Sequence, residues 1–168
     1  QSNEACATPM EEQAGGETCY DAITATMGEN FASGATQFFT YTTAGDNMEV
    51  TISSQNETGD APWDTYLTVL GSCAADSNGN FTDVLGLNDD CCGYWGPSTV
   101  TVGPYPAGTE LIALWSDNYA PGPFNFTVSE DEYFACADDS YEDDDTKDTA
   151  TDHGGDGSFS YALCREDN

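Results

Sequence analysis

The sequence almost lacks positively charged side chains. Among 168 residues, only Lys147 and Arg165 carry a fixed positive charge, against 31 Asp and Glu residues, so the formal net charge is −29. Nucleic acids and anionic membrane surfaces are bound through Lys and Arg, and the composition therefore excludes both as partners. Compacting such a chain also costs self-repulsion, so we expect neutralisation by divalent cations, by a high salt concentration or by a basic partner.

Long apolar runs are missing as well. No stretch of about 18 apolar residues occurs, and we therefore expect no membrane insertion. The chain begins at Gln1 without a basic segment or an apolar h-region. We interpret it as a mature secreted product from which a signal peptide has been removed. Its length suits one domain with appended segments.

Histidine is scarce, which bears on catalysis. The single histidine, His153, lies in the stretch Asp152-His153-Gly154-Gly155, and a Ser-His-Asp or Cys-His site would require it. No P-loop, dinucleotide fingerprint or HExxH motif occurs. The many acidic residues guarantee close carboxylate pairs, so such pairs do not indicate glycoside hydrolysis. We predict a protein that is not an enzyme.

The seven cysteines do not form a Cys/His zinc pattern and predict an oxidising compartment, hence an extracellular or cell-surface location. Because seven is odd, one thiol is free or bonded to another chain. We hypothesise a Cys136–Cys164 bridge that closes the acidic segment into a loop, and a bridge from Cys73 to Cys91 or Cys92, although spacing does not fix connectivity. The full set is Cys6, Cys19, Cys73, Cys91, Cys92, Cys136 and Cys164.

From residue 35 onward the pattern is typical of short β-strands. Residues 35–43 and 48–54 flank Ala44-Gly45-Asp46-Asn47, which is a hairpin signal. The continuously apolar stretch 111–115 indicates a central strand covered on both faces. Further strands are predicted at 65–71, 81–87, 98–102, 110–116, 123–129 and 158–164, separated by Gly, Pro and Asn turn residues.

These patterns predict an all-β sandwich or jelly roll of about seven to eight strands with terminal arms. We expect an N-terminal arm at 1–34, the sandwich at 35–129 and an acidic C-terminal extension with a terminal strand at 130–168.

From Cys19 to Ser129 the chain resembles the bacterial pre-peptidase C-terminal (PPC-like) domain, in its cysteine-containing variant. The resemblance rests on seven elements in order: residues 19–23 (CYDAI) with Gly28, 63–70 (WDTYLTVL), 71–73 (GSC), 88–91 (NDDC), 98–101 (STVT), 107–109 (AGT) and 122–126 (GPFNF).

The resemblance implies a small, non-catalytic β-sandwich that is appended to, or assembled into, extracellular proteins. Residues 37–40 (QFFT) depart from the family pattern, because they lack its tryptophan and a nearby cysteine. Residues 130–168 lie outside the pattern, so the resemblance says nothing about them.

Calcium is the expected cofactor, because Ca²⁺ takes six to eight hard oxygen ligands. One predicted site combines Asp60 and Asp64 with the loop 88–90; the alternative is that Asp64 caps a turn by accepting backbone N–H groups. A generally acidic surface adapted to a saline habitat is the rival explanation of the charge. The candidate ligands are Asp60, Asp64, Asn88, Asp89 and Asp90, with a second group at Asp143, Asp144 and Asp145.

Two further features concern glycans and contacts. Sequons at Asn56, Asn80 and Asn125 predict N-glycosylation where the host performs it. Tyr94 and Trp95, on a loop bounded by Gly and Pro, are candidates for stacking on a sugar or anchoring a protein. The alternative is that Trp95 folds over the end of the sandwich and closes the core.

Three functions follow. The first is a calcium-stabilised structural subunit that polymerises with itself through its terminal arms into a cell-surface or matrix fibre. The second is a carbohydrate- or protein-binding accessory module of a secreted hydrolase. An enzyme is the weakest of the three.

Overall fold

A computed structural model describes residues 15–33, 36–55, 64–91, 96–117 and 122–133. These residues form two β-sheets packed face to face, which confirms the predicted all-β sandwich. No helix among them is long and apolar enough to cross a membrane. The elements are a short 3-10 turn at Cys19–Asp21, β1 Ile23–Thr24, β2 Gly28–Ala32, β3 Gln37–Thr42, β4 Met48–Ser53, β5 Thr65–Leu70, β6 Val84–Asn88, β7 Thr99–Tyr105, β8 Glu110–Asp117 and β9 Phe124–Glu132.

The strand order explains which side chains meet. One sheet has five strands in the order β1-β3-β8-β5-β6, and the other has four in the order β2-β9-β4-β7. Within the described chain, β1 pairs with β3 in parallel and all other pairs are antiparallel. Among the described residues, the edge strands are therefore β1 and β6 in the five-stranded sheet, and β2 and β7 in the four-stranded sheet.

The main core lies between the sheets and follows the period-two alternation of the strands. Val50 and Ile52 of β4 point inward, as the sequence pattern predicts. Aromatic rings meet across the interface at edge-on angles, with centroid distances of 4.8 Å for Phe39–Phe126 and 5.2 Å for Trp115–Phe124. The buried members of this core include Phe39, Tyr41, Val50, Ile52, Leu67, Val69, Leu111, Trp115, Phe124, Phe126 and Val128.

Strand β8 is covered on both faces, as its continuously apolar sequence predicts. It lies between β3 and β5. Trp115 belongs to the core between the sheets, whereas Ile112 belongs to a second apolar cluster with Cys19, Phe38 and Leu70. The 3-10 turn and the residues after β5 contribute to this second cluster, which covers the opposite face of β8.

A disulfide between Cys19 and Cys73 holds this cover in place, across a sequence separation of 54 residues. The hypothesised bridge from Cys73 to Cys91 or Cys92 is therefore wrong. Packing of the 3-10 turn over the five-stranded sheet brings Cys19 beside the end of β5, at a Cα–Cα distance of 5.7 Å from Cys73. Cys91 is also disulfide-bonded. The proposed Cys136–Cys164 bridge lies outside the described residues and stays a prediction.

The predicted hairpin between β3 and β4 does not form, because the two strands belong to different sheets. The Ala44–Asn47 turn instead carries the chain from one sheet to the other. It is held by the Glu130 carboxylate, which accepts hydrogen bonds from the N–H groups of Ala44 (2.7 Å) and Gly45 (3.3 Å). β3 and β4 each have one apolar face to bury. Because they lie in different sheets, their apolar faces can pack against each other in the core between the sheets.

The N-terminal segment contributes more to the fold than an arm would. Strands β1 and β2 lie within residues 1–34, and β2 pairs with β9 along five residue pairs. The sequence of β2, Gly28–Ala32 (GENFA), has no apolar alternation, so its pattern does not reveal a strand. Strand β9 continues to Glu132, past the predicted boundary at 129. The terminal strand predicted at 158–164 lies outside the described residues.

Candidate functional site

Three buried hydroxyl groups join the two sheets at one end of the sandwich. Ser54 follows β4, Thr65 is the first residue of β5 and Ser98 precedes β7, and each is at most 2% exposed. The Ser54 and Thr65 hydroxyl oxygens lie 2.8 Å apart, and the Ser98 N–H donates to Ser54 Oγ at 2.9 Å and to Thr65 Oγ1 at 3.0 Å. Ser98 Oγ in turn donates to the main-chain oxygen of Thr65. Each of these buried polar groups therefore has a partner, and the three residues form a fixed junction.

The loop after β6 is attached to this junction. Ser98 Oγ also lies 2.9 Å from the main-chain oxygen of Asp89, so its single O–H proton is shared between this oxygen and that of Thr65. Asn88 Oδ1 accepts the Thr99 N–H at 3.0 Å, and Asp90 Oδ1 accepts the Gly96 N–H at 2.8 Å. Asn88 and Asp90, two of the predicted calcium ligands, thus have a structural role, because their side chains attach the end of β6 and the loop after it to the residues at the start of β7.

The calcium hypothesis stays a prediction. Among the residues that the structure describes, no three or more His, Cys, Asp or Glu side chains are grouped so that they could hold a metal ion. Asp64 is described and has interaction partners of its own. The other candidate ligands, Asp60, Asp143, Asp144 and Asp145, lie outside the described ranges.

The outer side of β6 is the most unusual surface of the sandwich. Val84, Leu85 and Leu87 are 44%, 36% and 59% exposed, although β6 is a strand of the five-stranded sheet. Only Gly86 of this stretch faces inward, and a Cβ atom there would lie 2.7 Å from Val100 Cγ1. Three of the four residues at 84–87 therefore present apolar side chains to solvent, and we call them the β6 surface.

Acidic residues stand at both ends of the β6 surface. Asp83 precedes it, and Asp89 and Asp90, both exposed, follow it. Ser72 Oγ donates to the Asp83 carboxylate at 2.7 Å, which fixes this carboxylate at the start of β6. Burial raises the pKa of Tyr105 on β7, and the negative charge of Asp83 raises it further. The described residues contain no Lys, Arg or His to neutralise these carboxylates.

The other edge strands are less suited to pairing with a further strand. β1 has only two residues. β7 contains Pro104, which has no N–H group to donate. In β2 the Asn30 amide donates to the main-chain oxygens of Thr26 (2.8 Å) and Gly28 (3.0 Å), which closes that end of the strand on itself. Among the described edge strands, β6 thus combines exposed apolar side chains with a length of five residues.

Sequence reasoning identified the strand but missed this surface. It predicted residues 81–87 as one more strand of the sandwich, without assigning its side chains to a face. The available signal was composition: Val84–Asn88 (VLGLN) has three apolar residues and a glycine, and lacks the polar alternation of a strand with one buried face.

Two predicted glycosylation sites are accessible. Asn80 is exposed in a turn, where its side chain donates to Asp76 at 3.2 Å. Hydrogen bonds from the Asn80 N–H and side chain and from the Asn78 N–H lower the pKa of Asp76. Asn125 is exposed on β9 and donates to Glu29 at 2.7 Å. Their glycosylation stays a prediction, and Asn56, Tyr94 and Trp95 lie outside the described residues.

Comparison with known proteins gives similarities in structure only. No protein-family model and no curated protein matches the chain. The structure is similar to the pre-peptidase C-terminal domain of a collagenase from Bacillus anthracis, with 11% identity and a TM-score of 0.38, over 65% of this chain and 95% of that one. This is the domain class that the sequence resembles.

A second similar structure is PliG of Aeromonas hydrophila, a periplasmic inhibitor of g-type lysozyme. The identity is 13% and the TM-score 0.37, over 66% of this chain and 96% of that one.

Proposed function

We propose that this chain is a non-catalytic binding module of an extracellular or cell-envelope protein, and that it binds a protein partner along the β6 surface. The exposure of Val84, Leu85 and Leu87 on an edge strand is the observation that carries the proposal. An open edge offers backbone hydrogen bonds to an added strand, and exposed apolar side chains add contact area.

The disulfides support a location outside the cytosol. Cys19 is bonded to Cys73, and Cys91 is also disulfide-bonded. Such bonds form and persist in oxidising compartments, whereas cytosolic thiols are kept reduced. A secreted or envelope protein that carries an accessory module fits this chemistry.

The buried hydroxyl groups support a structural scaffold. Ser98 is the most deeply buried of the three, and its hydroxyl group is engaged with the main-chain oxygens of Thr65 and Asp89. Both acceptors are main-chain carbonyls, which do not activate a hydroxyl group as a nucleophile. Ser98 therefore holds loops together, which is what a binding module requires of its frame.

A protein partner is favoured by the exposed apolar side chains of β6. Stacking on a sugar through Tyr94 and Trp95 involves residues outside the described ranges. Polymerisation through the terminal arms would have a shorter N-terminal arm than predicted, because β1 and β2 pair within the sandwich. A formal charge of −29 on each copy also opposes self-association unless cations neutralise it. These two functions stay predictions.

The proposal is tested by amide hydrogen exchange and NMR shift mapping on the full chain. Three probe peptides of equal length would be used, with identical alternating Val and Thr cores and with terminal residues that are Lys, Thr or Glu. We expect at least one peptide to protect the β6 amides from exchange. If none of them perturbs β6, the β6 surface is not a strand-binding site and the proposal is overturned.

Matched variants identify the surface. Leu87→Ser should weaken binding of every peptide, because it removes an apolar side chain that is 59% exposed on β6. Met27→Ser is the control, since Met27 is 56% exposed and lies before β2 in the other sheet. Equal losses in the two variants would indicate non-specific apolar contact and would contradict the proposal.

A further inference from the structure

We infer that the partner strand is cationic: a short extended segment with an apolar centre and a Lys or Arg at each end. This inference rests on the proposed binding function of the β6 surface and specifies the partner that this surface selects. The juxtaposition that supports it is an uncharged apolar strand, Val84–Asn88, between carboxylates at Asp83 and at Asp89 and Asp90.

The spacing of the carboxylates sets the length of the partner. Asp83 and Asp89 are six residues apart, which corresponds to about 20 Å along an extended chain. A strand added beside β6 lies about 4.8 Å away and runs with the same rise per residue. The extra residue Leu85 interrupts the alternation along β6, so the Asp83 side chain packs against Gly71 on the inner side of the sheet, whereas Asp89 follows the outward-facing Leu87 by two positions. The two basic residues of the partner would therefore have to point to opposite faces of the sheet, and the apolar residues between them would lie beside Val84 and Leu87.

The charge of the chain makes a cationic partner the complementary one. The described residues contain no Lys, Arg or His, so the exposed carboxylates of Asp89 and Asp90 meet no basic side chain among them. A cationic strand would be attracted by the carboxylates at both ends of the β6 surface and by the negative net charge of the whole chain. An acidic strand would be repelled by the same groups.

A second copy of this chain is a poor occupant because its β6 strand carries the same acidic residues. Pairing β6 with β6 would place carboxylates near one another across the interface. Charges of this kind protect edge strands from pairing with copies of themselves.

The test compares the affinities of the Lys-ended, Thr-ended and Glu-ended peptides for the full chain by isothermal titration calorimetry. In low-salt buffer we expect the Lys-ended peptide to bind roughly tenfold more tightly than the Thr-ended one. This is the difference that two exposed ion pairs, one at each end of the peptide, would produce. This advantage should shrink as salt is added, because exposed charges are screened. N-methylation of alternate residues of the Lys-ended peptide should abolish binding, since it removes backbone donors.

Charge variants locate the effect. Asp89→Asn should reduce the preference for the Lys-ended peptide about threefold, the loss of one exposed pair. Glu110→Gln is the control, because Glu110 is exposed at the start of β8, outside the β6 surface. An equal reduction in both variants would attribute the preference to net charge and would overturn the inference.

The remaining outcomes separate this inference from the proposed function. Equal binding of all three peptides would overturn the cationic partner and leave the binding module standing. Binding of none would overturn both. Protection of the β6 amides in concentrated protein without peptide would show that a second copy occupies the surface, and would also overturn the inference.

Discussion

The hydroxyl group of Tyr41 donates a hydrogen bond of 2.9 Å to the Glu130 carboxylate and joins the two sheets. Tyr41 lies on β3 in the five-stranded sheet and is 5% exposed, and Glu130 lies on β9 in the four-stranded sheet. The same carboxylate accepts the N–H groups of Ala44 and Gly45. One side chain therefore fixes both the contact between the sheets and the turn that connects them.

This contact predicts a loss of stability at alkaline pH. Burial raises the pKa of Tyr41 to about 12 from 10.0, and the hydrogen bond to Glu130 and its negative charge add to the shift. Because the folded state holds the proton more tightly than the unfolded state, this contribution is complete below about pH 10. It is lost as the pH rises through about 12. Urea denaturation measured across this range should show the decline.

Tyr41→Phe is the matched variant. We expect it to lower the free energy of unfolding at neutral pH by about 1 kcal/mol, the net value of one hydrogen bond. It should also show a smaller decline above pH 10 than the parent chain, because Phe does not titrate. An unchanged alkaline decline would mean that another group is responsible.

Removing the Cys19–Cys73 disulfide should destabilise the sandwich. The bridge closes a loop with a sequence separation of 54 residues. The chain-entropy model gives a stabilisation of about 4 kcal/mol for a loop of this length, and measured values are commonly 2–4 kcal/mol. The double variant Cys19→Ser with Cys73→Ser, compared by urea denaturation, should lose about this much. The paired substitution leaves the disulfide of Cys91 in place, which chemical reduction would not.

Hydrogen exchange in the same double variant shows whether the disulfide stabilises only the apolar cluster beneath the 3-10 turn or the whole sandwich. If the disulfide mainly holds the 3-10 turn over Phe38 and Ile112, its loss should increase hydrogen exchange in that cluster first. Exchange in the core around Phe126 should change less. A uniform increase across both clusters would indicate a single cooperative unit.

Gly86→Ala should cost stability through a steric conflict. A Cβ atom at position 86 would lie 2.7 Å from Val100 Cγ1, closer than van der Waals contact allows. Overpacking of this kind costs about 1–3 kcal/mol. In a Val100→Ala background, where that methyl group is absent, the same substitution should cost less. Thermal denaturation of the four chains of this double-mutant cycle measures the difference.

Calcium and salt should act differently if the predicted site exists. A saturating ligand at 100 times its dissociation constant stabilises a protein by about 2.7 kcal/mol. We expect CaCl₂ to raise the melting temperature, and NaCl of equal ionic strength to have a smaller effect. Asp64→Asn should reduce the calcium effect and Glu110→Gln should not. Equal stabilisation by the two salts would favour a generally acidic surface over a specific site.

Strong local patterns predicted most of the sandwich. The alternation of Val50 and Ile52, and the apolar stretch 111–115, gave β4 and β8 with their correct environments, because burial on one or two faces leaves a direct trace in composition. Strands β1 and β2 left no such trace. β2 is held by hydrogen bonds to β9, and a backbone pairing of this kind does not constrain side-chain type.

Partner choice and site geometry were harder to predict. A turn sequence such as Ala44–Asn47 is compatible with a hairpin or a crossing between sheets, and the outcome depends on Glu130, which is 85 or more positions further along the chain. Asn88 and Asp90 were two of the predicted calcium ligands, because their side chains carry oxygen atoms. In the structure these side chains accept main-chain N–H groups, and a list of residue types does not distinguish the two uses.

The Ser54–Thr65–Ser98 junction makes the connection between β4 and β5 a natural point for engineering. The two hydroxyl oxygens of Ser54 and Thr65 lie 2.8 Å apart, so the intervening chain starts and finishes at neighbouring, buried anchors. A longer connection between these anchors would cost little stability, because doubling the length of a flexible loop costs about 0.6 kcal/mol. The sandwich could therefore display inserted peptides, or diversify this connection, while its core stays unchanged.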